Sequence, residues 1–376
     1  MRAVGEVDGE GYGALPILIV IEEMQGADEG SDRFCLEAPR ALAAQRAVVQ
    51  HHTRGGVDGF GPVVRLVARF VAVWAAARRP ELRECRPLAV LYVPAGRTVT
   101  VPTLLRARLL KIALGSPVAT MAFHEGIKGP SRWLARLLPP DMLLLTTDAE
   151  CRAARELGLR AELTWTGVDP ERFRPAAPGE KESLRRKHSI PHDEYVVLHV
   201  GHLFENRNLR ALMPLASVPG LTVLVVASSL RRQPESDALK RALEDAGIVV
   251  VTGYQPSIEE FYRLADCYVF PTVLAGGAVA TPLSVVEARA SGLPAVCMRF
   301  RALGERVGAA LGVELVGSGD ELVARTLALR SAPAPPRAVP DLFSWHGVAS
   351  RLAGLMEQMA AGGPARRGSL QEDEHE

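Results

Sequence analysis

The stretch Cys267–Met298, CYVFPTVLAGGAVATPLSVVEARASGLPAVCM, decides the fold. It opens on a short apolar run, Cys267–Pro271, which reads as a strand buried on both faces. A small-residue loop follows, Leu274–Ala280. Thr281 suits a helix N-cap and Pro282 the first helical position. The helix Leu283–Ser291 stops at Gly292, with Pro294 just beyond. A second apolar run, Ala295–Met298, starts at once. Strand, helix and strand in this order form the crossover unit of a parallel sheet.

The same unit recurs outward in both directions. Before it lie Tyr195–Val200, Thr222–Ala227 and Ile248–Thr252, and after it Gly312–Val316. The first half of the chain offers Leu15–Ile21, Ala47–His52, Leu88–Val93, Pro117–Phe123, Met142–Thr147 and Glu162–Thr166. Two successive sets of alternating strands and helices predict two Rossmann-like domains with parallel sheets. The boundary falls near Arg174–His188, where Pro175 and Pro178-Gly179 precede a charged helix, Glu180–His188. The expected division is a loose N-terminus over 1–12, a first domain over 13–175, a second over 185–340, a helix over 341–361 and a disordered tail over 362–376.

Composition agrees with a globular α/β protein. The 376 residues suit two domains, 48% are apolar and 23% charged. The net charge of +1 gives no reason to expect a nucleic-acid partner. The cysteines Cys35, Cys85, Cys151, Cys267 and Cys297 form no CxxC pair and read as reduced thiols. The histidines show no metal-ligand spacing, and no metal or cofactor is expected. Met1–Gly13 lacks the character of a signal peptide. The most apolar helical stretch, Val63–Ala77, is interrupted by Arg65 and Arg69 and is too short to span a bilayer. These features predict a cytoplasmic protein.

In open parallel sheets, ligands bind beyond the carboxyl ends of the strands. After Cys267–Pro271, the free N–H groups of Leu283 and Ser284 suit a phosphate, and Glu287 one turn on suits a ribose diol. An ordinary crossover with a solvated glutamate fits the segment equally well. After Tyr195–Val200 comes GHLFENRNL, 201–209, in which Arg207 offers a planar fork to a phosphate and Asn208 a cap to the next helix. A surface arginine at a helix start fits there too. After Pro117–Phe123 comes His124, which reads either as a ligand contact in the interdomain cleft or as a structural histidine.

Taken together, five segments resemble the family 4 (group 1) retaining glycosyltransferases. Gly167–Pro175 is similar to their GVDxxRFxP segment, and Gly201–Leu209 to their GRLxxxKN loop. GYQPSIEEFYRLADCYVFPT, 253–272, resembles the run into their donor site, and PLSVVEARASGLP, 282–294, their PLxxLEAMAxGxP helix. Phe343-Ser344-Trp345 resembles the start of their last helix, which returns to the first domain. The resemblance implies a GT-B fold, an acceptor domain followed by a nucleotide-sugar donor domain across a cleft, and transfer of a sugar from a nucleotide-diphosphate sugar with retention. It implies that Glu287 binds the ribose and that the backbone at Leu283 and Ser284, beside Thr281, holds the distal phosphate. Arg207 stands for the family's phosphate-binding lysine, and His124 for its active-site histidine. The backbone at Tyr254 would meet the base, and the Gly26–Gly30 loop would approach the phosphates or the acceptor.

Two positions depart from the pattern. Val279 stands where the first glutamate of ExxxxxxxE belongs, and His202 where an arginine belongs. They leave open a catalytically degenerate sugar-nucleotide-binding or regulatory protein; a GT-B epimerase or phosphorylase is a separate alternative. No GxGxxG follows a strand, which argues against a nicotinamide enzyme. The acceptor reads as a glycan, a lipid-linked molecule or a small molecule. The helices Thr103–Leu114 and Ser131–Leu138 carry Arg106, Arg108, Lys111, Arg132 and Arg136 beside Leu and Trp133. They suit peripheral contact with the inner face of a membrane, or equally a core face of leucine with a solvated basic face.

Overall fold

The computed structural model describes residues 15–22, 30–53, 62–95, 98–123, 126–127, 129–227, 234–274, 278–333 and 339–362. The chain forms two compact units, one of Met1–Trp165 with Trp345–Glu376 and one of Thr166–Ser344. The expected loose terminus, and the tail from 363, lie outside the described residues.

The first unit is built on β1 (Ile17–Glu22), β2 (Val48–Thr53), β3 (Ala89–Val93), β4 (Val118–Met121), β5 (Met142–Leu145) and β6 (Ala161–Leu163). All are parallel, in the order β2-β1-β3-β4-β5-β6. Strands β1, β3, β4 and β5 are buried along their whole length, as unbroken apolar runs require, whereas the edge strand β2 is half-exposed. The helix Trp345–Ala360 belongs to this unit. Trp345 meets Phe34 edge-on at 6.1 Å, and Arg351 donates to Leu163 O.

The second unit is built on β7 (Tyr195–Gly201), β8 (Leu221–Ala227), β9 (Val249–Thr252), β10 (Cys267–Phe270), β11 (Ala295–Met298) and β12 (Glu314–Val316). Its order is β12-β11-β10-β7-β8-β9, again all parallel. Every strand expected from the sequence therefore has its counterpart. Val197, Leu212, Val223, Val225, Cys267, Val269 and Val296 lie in one core beneath the helices. The chain enters and leaves this unit side by side, since Val168 bridges Ser344 and its N–H donates to Phe343 O at 2.8 Å.

One expectation about the first unit is overturned. Arg106 is buried rather than on a solvated basic face: its Nε lies 2.7 Å from Glu22 Oε1 and 2.8 Å from the Tyr92 hydroxyl. Lys111 pairs with Asp141. A charge on an otherwise apolar helix face is buried only when paired, and Glu22, the acidic end of β1, supplies the partner.

Candidate functional site

Strand order points to a candidate site in the second unit. From β7 the chain runs outward through β8 and β9, then returns to lay β10 on the other side of β7. The carboxyl ends of β7 and β10 thus flank the point at which the order reverses, where open sheets leave a crevice. The residues singled out after those two strands are the ones gathered there.

The loop after β7 is fixed from the loop after β10. Asn208 takes a left-handed conformation (φ 56°), which asparagine tolerates better than most residues. Its Nδ2 donates to Pro271 O at 3.1 Å, and Thr272 Oγ1 donates to Arg207 O at 3.4 Å. Asn208 stands at the N-cap of the turn Leu209–Leu212, as the sequence predicts, but its side chain makes no cap bond and ties the two loops instead. Arg207 sits half-buried between these ties. Burial lowers its pKa to about 10, so the guanidinium stays charged near neutrality. Its Nε has no hydrogen-bond partner and no ion pair holds it among the described residues. A desolvated, uncompensated cation is a costly arrangement that a bound anion relieves.

His199 of β7 lies under this loop, fully buried. Its Nδ1 is 3.0 Å from Val269 O, so that nitrogen carries the proton and Nε2 the lone pair. Burial first, and then the Arg207 charge, lower its pKa to about 4. Gly201 leaves the room: a Cβ there would lie 2.9 Å from His199 Nε2 and 3.6 Å from Arg207 Nη1. His202 stacks on Phe204 with ring centroids 5.1 Å apart.

Beyond β10, the helix runs over Leu283–Ala290. Its N-cap is Pro282, not Thr281, and no side chain caps it. Thr281 is buried, its carbonyl accepts from Thr166 Oγ1 at 3.0 Å, and its own Oγ1 has no partner. Pro282 is itself extended (ψ 127°), outside the helix, which moves the cap one residue on. The N–H groups of Leu283 and Ser284 thus open the helix without a side-chain acceptor, as an anion site needs. The hydroxyl of Tyr268 donates to Ser284 Oγ at 2.7 Å and lies 3.4 Å from Val200 O, which joins the end of β7 to this first turn. Glu287, half-buried, accepts from the Tyr262 hydroxyl at 2.7 Å.

The remaining predicted positions stand apart or outside. Tyr254 follows the edge strand β9 after Gly253 (φ 109°) and is 69% exposed. Gly30 is the first residue of the helix Gly30–Ala43 rather than part of a loop. Gly26 and His124 lie outside the described residues. Val279 is half-buried. Among the described residues no cluster of His, Cys, Asp or Glu suits a metal, and no helix is long and apolar enough to cross a membrane. Sequence reasoning missed His199, Tyr262 and Tyr268, polar residues within apolar runs where a hydrocarbon side chain would pack as well. It also missed the Glu22–Tyr92–Arg106 cluster, whose one signal is the acidic end of ILIVIE.

Residues 180–317 match the family described as glycosyl transferases group 1. That span contains three of the five resembling segments, including both loops at the reversal point. The protein called "Putative glycosyltransferase EpsD" from Bacillus subtilis (strain 168) is 25% identical over 218 residues, 56% of this chain and 55% of its own. The chain spans about half the length of the relatives it matches in sequence. Among solved structures, sucrose-phosphate synthase from Thermosynechococcus elongatus superposes with a TM-score of 0.71 at 16% identity, covering 93% of this chain and 100% of that one. HepE of Anabaena, solved with UDP and glucose, gives 0.61 at 16% identity, covering 93% and 99%. The fold is GT-B, and residues 180–317 of the second unit are similar to the group 1 glycosyltransferases.

Proposed function

We propose that the chain is a glycosyltransferase that moves a sugar, with retention of configuration, from a nucleotide-diphosphate sugar to an acceptor. The observation that carries the reading is Arg207: a charged, half-buried guanidinium with an unpartnered Nε beside the point of strand reversal. Arg207 and the N–H groups of Leu283 and Ser284 would hold the diphosphate, and Glu287 would accept from the ribose. The backbone at Tyr254 would lie along the base, and His202, when protonated, would add charge. Breaking the anomeric carbon–oxygen bond leaves negative charge on the departing diphosphate. Fixed donors placed before the reaction stabilise that charge without reorganising.

A mass-spectrometric screen of nucleotide-sugars, with and without glycan and lipid-linked acceptors, tests the reading. One donor should yield a free nucleoside diphosphate and a glycosylated product. Binding without transfer or hydrolysis would make the chain a sugar-nucleotide-binding protein instead. Isomerised donor would make it an epimerase, and phosphate-dependent glycan cleavage a phosphorylase.

Membrane contact is a finer proposal. On the helices Val101–Leu114 and Pro130–Leu137, Ile112 is 70% and Trp133 68% exposed, and Arg108, Arg132 and Arg136 are exposed with them. With Arg106 and Lys111 engaged elsewhere, the basic face is smaller than the sequence implies. Such a face suits an anionic bilayer at the inner side of a membrane. Equal sedimentation with neutral and with anionic vesicles would remove this proposal.

A further inference from the structure

Glu287 does not face its ligand unaided. Tyr262, on the helix Ile258–Leu264, is wholly buried, and its hydroxyl donates to Glu287 Oε2 at 2.7 Å. Its ring is held on two sides, edge-on by Phe173 (centroids 5.6 Å apart, 79°) and stacked by Tyr268 (6.0 Å, 28°). A ring held in this way has one place to put its oxygen. Burial, and then the charge of Glu287, raise the phenol's pKa well above its ordinary value, so it remains a donor wherever the carboxylate is ionised.

Phenylalanine would fill the same space without burying a hydroxyl, which is costly unless the hydroxyl is bonded. The bond it makes goes to the carboxylate that stands at the helix carrying the anion-binding N–H groups. A carboxylate has two oxygens and about four acceptor sites. Tyr262 occupies one of them. An unfixed glutamate side chain samples many rotamers, and fixing it on binding costs entropy. A buried donor that fixes it beforehand removes that cost from ligand binding.

We propose that Tyr262 is a positioning residue that holds the Glu287 carboxylate in the orientation that receives the ribose diol, and so sets the preference for ribonucleotides over deoxyribonucleotides. The proposal rests on the reading of Glu287 as the ribose acceptor. It concerns no change of bonding in the substrate, only the orientation of an acceptor.

The test is calorimetry on the full chain with UDP, GDP and ADP and their 2′-deoxy and 3′-deoxy counterparts. Wild type, Tyr262→Phe, Tyr268→Phe and Glu287→Gln are compared, using the base that binds wild type best. Wild type should prefer the ribo form by about tenfold, as loss of one charge-assisted hydrogen bond implies. Tyr262→Phe should reduce that preference to about threefold or less, with the ribo form losing affinity and the deoxy forms little changed. Tyr268→Phe strips the neighbouring hydroxyl from the same stack and should keep the wild-type preference. A folded Tyr262→Phe that keeps the full preference overturns the proposal. So does an equal loss of ribo and deoxy affinity, which marks a merely structural residue. If Tyr262→Phe does not fold, Tyr262→Trp, which keeps an aromatic ring and moves the polar atom, is read by the same criteria. If wild type and Glu287→Gln show the same preference, the reading of Glu287 as the ribose acceptor fails, and the proposed role of Tyr262 falls with it.

Discussion

At the scale of single residues, His199 carries a prediction about acid stability. Its folded-state pKa is about 4, against an ordinary value of 6.5, because burial disfavours the charged ring and the Arg207 charge adds to it. A depressed histidine favours the folded state fully above the unfolded value. As pH falls below about 6.5 the unfolded chain takes up a proton that the folded chain refuses, until the ring protonates near pH 4. Over that window this one site should remove on the order of 3 kcal/mol of stability. Denaturant unfolding at about pH 7 and pH 4.5 measures it. The loss in wild type should exceed that in His199→Asn, which can still donate to Val269 O. Equal losses would show that His199 is not a buried neutral ring.

At the scale of elements, the site is a matter of how two loops are tied. Asn208 serves twice, by accepting a left-handed backbone and by bonding Pro271 O. Asn208→Gly keeps the turn and loses the tie, at about 0.5–1.5 kcal/mol. Asn208→Ala loses both, at about 1–3 kcal/mol. Unfolding midpoints should therefore fall in the order wild type, Gly, Ala, and both variants should bind nucleoside diphosphate more weakly because Arg207 is released. Full ligand affinity in both would separate Arg207 from this tie. Here the limits of sequence reading are plain. Strands such as Val196–Val200 and Leu221–Ala227 are legible because apolar runs of that length have few other uses. The start of the helix at Leu283 is legible from Pro282. The residue that caps it is not, because Thr281 and Pro282 both suit the role and tertiary packing decides: Thr281 turns its carbonyl to Thr166. Arg106 was misread for a related reason. Its partner Glu22 lies far away in sequence, and helical spacing cannot show a contact made across the sheet. Motif position singles out Arg207 and Glu287 as candidates, but not Tyr262, the group bonded to Glu287, since a tyrosine in FYRLADCYVF reads as ordinary core.

At the scale of the whole molecule, the second unit is a continuous insertion, Thr166–Ser344, in a first unit made of two chain segments. Its two ends are bridged at Val168 and Ser344. A unit with adjacent termini, its own sheet and its own core should fold alone. A fragment of residues 166–344 is expected to unfold in one cooperative transition and to gain stability from a nucleoside diphosphate. A molten fragment, lacking a cooperative transition, would show that this unit needs the first for its core.

The central claim is that the second unit binds the donor through Arg207 and Glu287. Its most direct test is calorimetric titration of UDP, GDP and ADP into wild type, Arg207→Ala and Glu287→Ala. We predict binding of at least one of them by wild type. Each substitution should weaken that binding by roughly 1.5–3 kcal/mol, about ten- to a hundredfold, with the melting temperature of the free protein little changed. Unchanged affinity in both variants, or no binding of any of the three by wild type, would contradict the account.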